Sequence, residues 1–280
     1  MRLTKPGLVK FTKIVSISLV GAVFAFLFIL LSLRWINPSF TAFTLQEDWD
    51  ELGKDRYSLR EEWTSWDQIP ENIQWAVIAS EDQKFWEHNG LDMEAIKEAL
   101  QENEEGGRVR GASTISQQVT KNLFLWSGKS YFRKGMEAGI TLTIEILWPK
   151  ERILEMYLNI AEFGPGVYGI GKASDYFFDK QPMELADDEA ARMAAVLPNP
   201  KRMRVEPPTP YVAERQDWIL RNMMQLSGIA YLPESKPDSL PQWDSVKIDR
   251  VEFSNSPNNL FFKRNTDSNF VFNSFRKNSL

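Results

Sequence analysis

Twenty consecutive residues near the amino terminus, Ile14 to Leu33, carry no charge and read IVSISLVGAVFAFLFILLSL. At about 1.5 Å per residue, a helix of this length spans roughly the 30 Å hydrocarbon core of a bilayer. Neither face of such a helix is polar, which argues against a core helix of a soluble protein. A cleaved signal peptide is the stronger alternative, but no small-residue cleavage pattern follows the run. The sequence therefore predicts one transmembrane helix over residues 14–33.

The charges on the two sides of this apolar run differ in sign. The charged residues before it are all basic: Arg2, Lys5, Lys10 and Lys13. After it, Arg34 is followed by an acidic group: Glu47, Asp48, Asp50 and Glu51. Because the cytosolic flanks of membrane helices are rich in Lys and Arg, we predict a cytosolic basic segment over residues 1–13. Everything after about residue 35 is then expected on the far side of the membrane.

Cysteine is absent from the 280 residues, and histidine occurs once, at His88. Disulfides, thiolate metal sites and thiol nucleophiles are thereby excluded, and a histidine-based metal cluster is disfavoured. The mixture of 43% hydrophobic and 25% charged residues indicates a folded protein. A net charge of −5 predicts no general affinity for polyanions such as nucleic acid. Carboxylates, lysines, arginines and hydroxyls remain as the chemical repertoire.

Helical periodicity dominates the chain after Glu71, and few segments alternate with the two-residue period of strands. Amphipathic patterns predict helices over residues 71–80, 150–159, 185–197 and 211–226. We therefore predict a mainly α fold. Its expected parts are a linker over residues 34–59, a domain over residues 60–231 and a polar, loosely ordered tail over residues 232–280. No internal repeat or nucleic-acid motif is visible.

The segment ASEDQKFWEHNG, Ala79 to Gly90, places two adjacent carboxylates, Glu81 and Asp82, just ahead of Phe85 and His88. On a helix, Glu81, Phe85 and His88 would share one face, with Asp82 beside it. A carboxylate held against a second carboxylate and an aromatic wall is suited to proton transfer at neutral pH. The segment therefore predicts acid/base chemistry. The alternative is an ordinary helix end with solvated charges.

The segment GASTISQQVTKN, at residues 111–122, combines hydroxyls, amides and a lysine. A helix would bring four of its side chains within one turn of each other: Thr114, Gln117, Gln118 and Lys121. Amides that hydrogen-bond sugar hydroxyls would then lie beside a cation suited to phosphate. The alternative is a buried ladder of amides with a purely structural role.

Basic and aromatic residues alternate just downstream. The basic residues are Lys129, Arg133 and Lys134, and the aromatic ones are Phe124, Trp126, Tyr131 and Phe132. This mixture is typical of a surface that meets anionic lipid head groups. Glu137 follows Arg133 at the i+4 spacing of a helical ion pair, which on an exposed helix would be an ordinary surface contact.

Taken in chain order, these segments resemble the sequence blocks of glycosyltransferase family 51, the peptidoglycan glycosyltransferases. The matching blocks are EDQKFWEHNG (81–90), GASTISQQVTKN (111–122), RKGME (133–137), KERILEMYLN (150–159) and LPNPKR (197–202). The stretch IAEFGPGVYGIGKAS, residues 160–174, is similar to that of monofunctional members rather than bifunctional penicillin-binding proteins. The resemblance covers roughly residues 60–226, and the remainder is expected to be too short for a transpeptidase domain.

The resemblance implies a mainly α fold with a lysozyme-like core and a small membrane-facing jaw, preceded by the transmembrane helix. It implies an enzyme of the bacterial inner membrane that polymerises lipid II into glycan strands on the periplasmic side. Glu81 would be the general base that removes the proton of the acceptor 4-hydroxyl. Glu137 matches the second essential carboxylate of the family, which supports the sugar pyrophosphate, a bound cation or the geometry of the basic cluster.

The remaining site residues also follow from the resemblance. The pyrophosphate leaving group would be held by a basic cluster of Lys121, Lys129, Arg133 and Lys134. The sugar pockets and the orientation of Glu81 would be set by Asp82, Phe85, His88, Ser113, Thr114, Gln117, Gln118 and Asn122. Two positions depart from the family pattern: Ser116 replaces a common threonine, and Lys129 replaces a frequent arginine, which loses a bidentate donor.

The resemblance implies no required cofactor, although a divalent cation such as Mg²⁺ or Mn²⁺ near Glu81 or Glu137 is compatible with it. The expected partners are lipid II, the growing lipid-linked glycan, the membrane, and cell-wall or division proteins. Two other functions stay open at this point: a lytic transglycosylase or muramidase with a lysozyme-like core, and a non-catalytic membrane-anchored scaffold. The basic cluster favours synthesis, because a lytic enzyme has no pyrophosphate to hold.

Overall fold

The computed structural model describes residues 5–47, 58–104, 111–128 and 130–231. The predicted pyrophosphate ligand Lys129 and the predicted tail, residues 232–280, lie outside the described residues. The same holds for residues 1–4 of the predicted cytosolic segment and for residues 48–57 of the predicted linker.

Helices dominate the described part of the chain, which confirms the predicted mainly α fold. The helices are α1 (Lys5–Ser32), α2 (Ala42–Gln46), α3 (Glu71–Glu81), α4 (Met93–Glu104), α5 (Ile115–Phe124), α6 (Tyr131–Leu147), α7 (Lys150–Ile160), α8 (Ile170–Phe178), α9 (Asp187–Val196) and α10 (Pro210–Tyr231). The strands β1 (Glu162–Gly164) and β2 (Val167–Tyr168) form a short antiparallel hairpin. Short 3-10 turns occur at Trp66–Gln68 and Pro182–Glu184.

The four amphipathic patterns correspond to α3, α7, α9 and α10. Pro70 and Pro149 occupy the N-cap positions of α3 and α7, where the missing N–H of proline costs nothing. Along α7 the predicted apolar stripe is fully inside the protein: Ile153, Leu154, Tyr157 and Leu158 are at most 1% exposed. This burial makes α7 a central helix of the core.

The helix that carries Glu81 ends at that residue, so the shared helical face expected for Glu81, Phe85 and His88 is wrong. Asp82 has φ −164° and ψ 75°, outside the helical region. Its carboxylate accepts hydrogen bonds from the Ile115 amide of α5 and from His88, which turns the chain away from the helix axis. These partners lie too far along the sequence to influence a local helix pattern.

Two groups of helices form the core around the site. In one group α3 packs against α9 and α10, and in the other α5 packs against α6 and α7. Glu81 at the end of α3 faces Gln118 on α5, so the two groups meet at the predicted catalytic carboxylate. The site is therefore built at a junction between helices that are far apart in sequence.

Among the described residues, α1 is the one helix long and apolar enough to cross a membrane, over Phe11–Ser32 with a mean hydropathy of 2.8. Most of its side chains are exposed, whereas Leu30 in its last turn is fully buried against the rest of the protein. An exposed apolar helix of this length fits the predicted transmembrane helix. Within the predicted linker, Thr41 caps α2, and Glu47 accepts a hydrogen bond from Tyr168 at 2.7 Å.

Candidate active site

Glu81 is the last residue of α3, and its side chain is 11% exposed. Gln118 Nε2 donates a hydrogen bond of 2.9 Å to Glu81 Oε2. Ser80 Oγ lies 3.2 Å from Glu81 Oε1, and Arg215 Nη2 lies 3.9 Å from the same oxygen. The carboxylate is thus oriented mainly by neutral donors, with one guanidinium nearby. This arrangement leaves a negative, directed oxygen that can accept a proton.

Tyr157 fixes the amide that holds Glu81. Its hydroxyl donates to Gln118 Oε1 at 3.4 Å, so the amide nitrogen of Gln118 is turned toward Glu81. Burial raises the pKa of Tyr157 well above its ordinary value, and the charges of Glu81 and Asp82 raise it further. The phenol consequently keeps its proton and acts only as a donor. Sequence reasoning missed this role, since the pattern around Tyr157 indicates only an apolar helix face.

Arg215 on α10 reaches the same corner from a distant part of the chain. Its Nη2 donates to Ser80 Oγ at 2.9 Å and to Ser80 O at 3.4 Å. Its Nε is buried and has no hydrogen-bond partner. The Ser80 hydroxyl accepts from Arg215, so its single proton is directed at Ala194 O (3.1 Å) or at Glu81. Sequence reasoning also missed Arg215, and no local signal in the sequence links it to Glu81.

Asp82 and His88 tie the loop after α3 to the start of α5. Asp82 Oδ2 accepts from the Ile115 amide at 2.9 Å, and His88 Nε2 lies 2.9 Å from Asp82 Oδ1. The Gly90 amide donates to His88 Nδ1 at 3.1 Å, which assigns the imidazole proton to Nε2. A carboxylate at the amino end of a helix also interacts favourably with the helix dipole. Asp82 therefore orients α5 and the loop together.

Thr114 and Gln117 form a capping box at the start of α5. The backbone amide of Gln117 donates to Thr114 Oγ1 at 3.2 Å, and the backbone amide of Thr114 donates to the side-chain Oε1 of Gln117 at 3.1 Å. The Thr114 hydroxyl donates in turn to Gly90 O at 2.6 Å. The segment is helical from Ile115 onward, with Gln118 and Lys121 on the helix. Because Gln117 is buried in the cap, Gln118 is the amide that reaches the carboxylate.

The wall behind Phe85 contains a buried carboxylate, Glu145. It accepts hydrogen bonds from the Ser116 hydroxyl and from Lys150 Nζ, the latter at 2.9 Å. Lys150 Nζ also lies 4.5 Å from the centroid of the buried Phe85 ring. Gly90 has φ +88°, and a Cβ there would come within 2.8 Å of Glu145 Cγ. Glycine is therefore required where the loop passes this wall.

Glu137 lies at the centre of the basic cluster, and its side chain is only 3% exposed. Arg133 Nη1 donates to Glu137 Oε2 at 2.8 Å, which confirms the predicted i+4 pair, and Lys134 Nζ donates to Oε1. Arg133 Nε is additionally bonded to Gly128 O at 2.8 Å. Both oxygens of this carboxylate are thus paired with cations, and burial makes the pair structural rather than a loose surface contact.

Lys121 on α5 is the third described cation of this cluster. Desolvation lowers its pKa below the ordinary value; the charges of Glu137 and Glu81 oppose this shift, and those of Arg133 and Lys134 add to it. The ammonium also lies 5.6 Å from the centroid of the Phe43 ring. Glu137 thus pairs with Arg133 and Lys134 and interacts electrostatically with Lys121. The surplus positive charge suits a multiply charged anion.

A cavity of about 300 Å³ opens beside Glu81. Of the predicted site residues, four line it: Glu81, Asp82, Ser113 and Thr114. The others lie around this region on the loop, α5 and α6: Phe85 and Gln117 are buried, His88, Gln118, Lys121, Asn122 and Arg133 are half-buried, and Lys134 is exposed. The cavity is also lined by residues that sequence reasoning missed: Lys84, Asp92, Glu98 and Trp218.

The described side chains do not fit the divalent cation that the resemblance allows. In the described ranges, no group of three or more His, Asp or Glu side chains is placed so that it could hold a metal ion. Both oxygens of Glu137 already face cations, and Glu81 faces an amide, a hydroxyl and a guanidinium. Divalent cations prefer several oxygen ligands of negative or neutral charge. That the protein requires no cofactor stays a prediction.

Comparison with known proteins identifies the family of the chain. Residues 49–224 match the family described as Transglycosylase. The chain is 47% identical over 218 residues to the biosynthetic peptidoglycan transglycosylase of Stutzerimonas stutzeri, covering 77% of this chain and 89% of the relative. The proteins of the same name from Pseudomonas aeruginosa (49% over 203 residues; 71% and 87% covered) and Aeromonas hydrophila (51% over 197 residues; 70% and 83%) are similar. The chain, with the lysozyme-like fold predicted above, therefore belongs to the transglycosylase family.

Proposed function

We propose that this protein is a membrane-anchored peptidoglycan glycosyltransferase that polymerises lipid II into glycan strands, with Glu81 as the general base. One observation carries the proposal. Glu81, a directed carboxylate held by neutral donors, and the buried Glu137 both interact electrostatically with Lys121, and Glu137 also pairs with Arg133 and Lys134. Such a pairing suits a reaction that removes one proton and releases a pyrophosphate.

In the proposed reaction, Glu81 takes the proton of the acceptor 4-hydroxyl while the oxygen of that hydroxyl attacks the anomeric carbon of the donor sugar. The bond from that carbon to the pyrophosphate oxygen breaks, and the electron pair stays on the leaving lipid pyrophosphate. The growing negative charge faces Lys121, Arg133 and Lys134, which stabilise the transition state more than the ground state. The proton on Glu81 then passes to solvent.

The other site residues act on this pair of groups. Gln118, backed by Tyr157, and Ser80 aim the Glu81 carboxylate. Glu137 keeps Arg133 and Lys134 in place for the pyrophosphate. Asp82, Ser113 and Thr114 line the cavity where a sugar ring would bind, while Phe85, His88 and Gln117 support its walls. We assign Asn122 and Lys129 to substrate binding from the family resemblance.

Family membership and the names of the relatives support synthesis over the two alternatives. A lytic enzyme acts on a finished strand that carries no phosphate at the bond it breaks, so it has no use for the surplus of cations around Glu137. A scaffold protein needs neither that cluster nor a hydrogen-bonded carboxylate beside a cavity. Both alternatives make clear predictions that differ from those of a polymerase.

The class of reaction is tested by incubating the purified full chain with lipid II. We expect long glycan strands and free lipid pyrophosphate, and no digestion of purified sacculi. Arg133→Ala should slow turnover of lipid II by at least about tenfold, since it removes a charged donor to the leaving group. Thermal melting serves as the folding control because Arg133 also pairs with Glu137. Digestion of sacculi without polymer from lipid II would replace this proposal by a lytic enzyme.

We further propose that the protein is a single-pass protein of the bacterial inner membrane, with a cytosolic amino terminus and a periplasmic catalytic domain. The basic residues before the apolar helix and the acidic ones after it support this orientation. A reporter fused after Leu280 should be active only if it is a reporter that works outside the cytosol. A cytosolic carboxyl terminus would reverse the topology. Cell-wall or division proteins stay predicted partners.

A further inference from the structure

The carboxyl end of α1 is hydrogen-bonded by side chains from the α6–α7 corner. Trp148 Nε1 donates to Leu30 O at 2.8 Å. Arg152 donates through Nε and Nη2 to Leu33 O at 3.2 and 3.0 Å, and through Nη2 to Ile36 O at 3.2 Å. Leu30 O belongs to the last turn of α1, where carbonyls lack intrahelical partners and a cation is favoured by the helix dipole, and Leu33 O and Ile36 O lie in the segment that follows the helix.

The contact is reciprocal and also apolar. Arg34, just after α1, donates from Nη1 to Leu147 O at 2.7 Å, the last residue of α6. Leu30 is fully buried, and the Phe26 ring meets the edge of the Phe124 ring with centroids 5.7 Å apart. A helix that served only as a tether would need none of these contacts.

The guanidinium of Arg152 is itself held in place by Glu155 and Trp63. Its Nη1 pairs with Glu155 Oε2 at 3.0 Å, and its guanidinium lies 5.2 Å from the centroid of the Trp63 ring. Trp63 Nε1 donates to the other oxygen of Glu155 at 2.9 Å. A buried guanidinium held by an aromatic ring, an ion pair and hydrogen bonds has little freedom to rotate. The position of the α1 end is therefore defined with respect to α7.

The helices that hold α1 also carry the candidate site. Along α6, Trp148 is about 16 Å from Glu137 at 1.5 Å per residue. Along α7, Arg152 lies five positions before Tyr157, which orients the Gln118 amide. Movement of α1 in the bilayer would therefore be transmitted through two rigid helices to the basic cluster of Lys121, Arg133 and Lys134. The bilayer can in turn set the position of that cluster.

We infer that Arg34, Trp148 and Arg152 form an anchor clamp: positioning residues that make the membrane helix and the catalytic domain one rigid body. The clamp holds the cation cluster at a defined height and tilt over the bilayer, where the pyrophosphate of a lipid-borne substrate lies. This inference rests on the proposed function for its substrate. Its mechanical part, rigid coupling of α1 to the domain, is independent of which reaction is catalysed.

The mechanical part is tested by distance measurement in the full chain. Because the sequence contains no cysteine, Ile17→Cys on α1 and Asp175→Cys on α8 give two unique, exposed positions for spin labels. In lipid nanodiscs we expect one narrow distance distribution by double electron–electron resonance. Trp148→Phe combined with Arg152→Gln should broaden it, whereas the exposed control variants Tyr211→Phe and Arg221→Gln should not. A distribution that stays narrow in the double variant would overturn the clamp.

The positioning part is tested by comparing two settings for the same full-chain variants. In proteoliposomes that contain lipid II, we expect the double variant to lose about tenfold in rate, because a misplaced cluster meets the pyrophosphate less often. Nonionic micelles adapt to the shape of the protein and impose no membrane plane, so the loss in rate there should stay within about twofold. Arg34→Gln, at an exposed residue, should show the same setting-dependent pattern more weakly even if the double variant folds poorly.

Equal losses in both settings, with a matching fall in melting temperature, would assign these residues a purely structural role and contradict the inference. A wild-type chain that is inactive on lipid II in both settings, yet gives a narrow distance distribution, would contradict the proposed function and leave rigid coupling standing. The two proposals can therefore fail separately.

Discussion

Two carboxylates of the candidate site, Glu81 and Glu137, have surroundings of opposite kinds. Glu81 accepts from the Gln118 amide and lies near the Ser80 hydroxyl, and its closest described cation, Arg215, is 3.9 Å away. Glu137 is more deeply buried and touches two cations, one of them Arg133 at 2.8 Å. The first carboxylate keeps its charge available, while the charge of the second is already balanced.

This difference indicates a division of labour. A carboxylate aimed by neutral donors can take up a proton without first breaking an ion pair, which suits a general base. A carboxylate buried between two cations serves to fix those cations in space. The same residue type therefore performs proton transfer at Glu81 and electrostatic alignment at Glu137, and substitutions at the two positions should have different signatures.

The largest effect is expected for Glu81→Gln. The amide keeps the size of the side chain but cannot accept the proton, so polymerisation of lipid II should fall by at least about a hundredfold. Melting temperature and binding to lipid II vesicles should stay near wild type, because the carbonyl oxygen of the new amide can still accept the hydrogen bond from Gln118 Nε2. Near-wild-type glycan synthesis would remove Glu81 from the role of base.

Lys121→Met should have the next largest effect and should separate activity from stability. Loss of one charged donor to the pyrophosphate raises the barrier by roughly 2 kcal/mol, or about thirtyfold in rate. Desolvation lowers the pKa of this ammonium in the folded state, so the unfolded chain binds its proton more tightly and the buried charge costs stability at neutral pH. The variant should therefore melt no lower than wild type.

The sign of the Lys121 shift also predicts a pH dependence. Because its folded pKa lies below 10.5, the cost of burying its charge is full at low pH and disappears as pH rises from the folded pKa toward 10.5. Over the same window the wild-type enzyme loses the charge and with it activity. Lys121→Arg, which keeps its charge, should retain activity to higher pH in rate profiles. An unchanged alkaline limb would argue against a role for this ammonium.

Glu137→Gln should cost about tenfold in rate and, unlike Glu81→Gln, should also destabilise the fold. Removing one partner of a buried ion pair leaves cations uncompensated, at roughly 3 kcal/mol in the free energy of unfolding. Exposed Lys134 can turn to solvent, but Arg133 is half-buried and cannot. Chemical denaturation of both Gln variants is the measurement. Equal stability of the two would show that the carboxylates do not differ as described.

Tyr157→Phe should have the smallest effect. The variant removes one hydroxyl that orients the Gln118 amide and leaves the ring in the core, so we expect about a fivefold loss in rate, equivalent to roughly 1 kcal/mol. The matched control is Tyr211→Phe, at an exposed residue of α10, which should change neither rate nor stability. A loss at Tyr157 that appears only in melting temperature would make the hydroxyl structural.

Local patterns predicted much of the fold and the core of the site. The helices α3 and α7 follow from apolar periodicity and from Pro70 and Pro149 at their starts, which are signals within a few residues of the helices they begin. The Arg133–Glu137 pair was predictable for the same reason, since four residues on a helix fix the distance between two side chains.

The remaining features depend on contacts between distant segments. The helix end at Glu81 is decided by the Asp82 contact with Ile115, and the Arg215 contact with Ser80 spans 135 positions. Similarly, the side-chain amide of Gln118 hydrogen-bonds Glu81, whereas the side-chain amide of Gln117 hydrogen-bonds within the helix cap. The two residues are neighbours with the same chemistry. Nothing in the order of residues distinguishes them before α3, α5 and α7 are packed.

By itself, the sequence determined that an apolar membrane-length helix precedes a mainly helical domain, and that two carboxylates and a group of cations stand in the order found in the transglycosylase family. Charge, periodicity and residue order are properties of the chain itself. Only the tertiary structure decided which carboxylate faces neutral donors and which faces cations, and that α1 is held by Trp148 and Arg152. Burial and hydrogen bonding depend on which helices meet, so these roles arise only when distant segments pack.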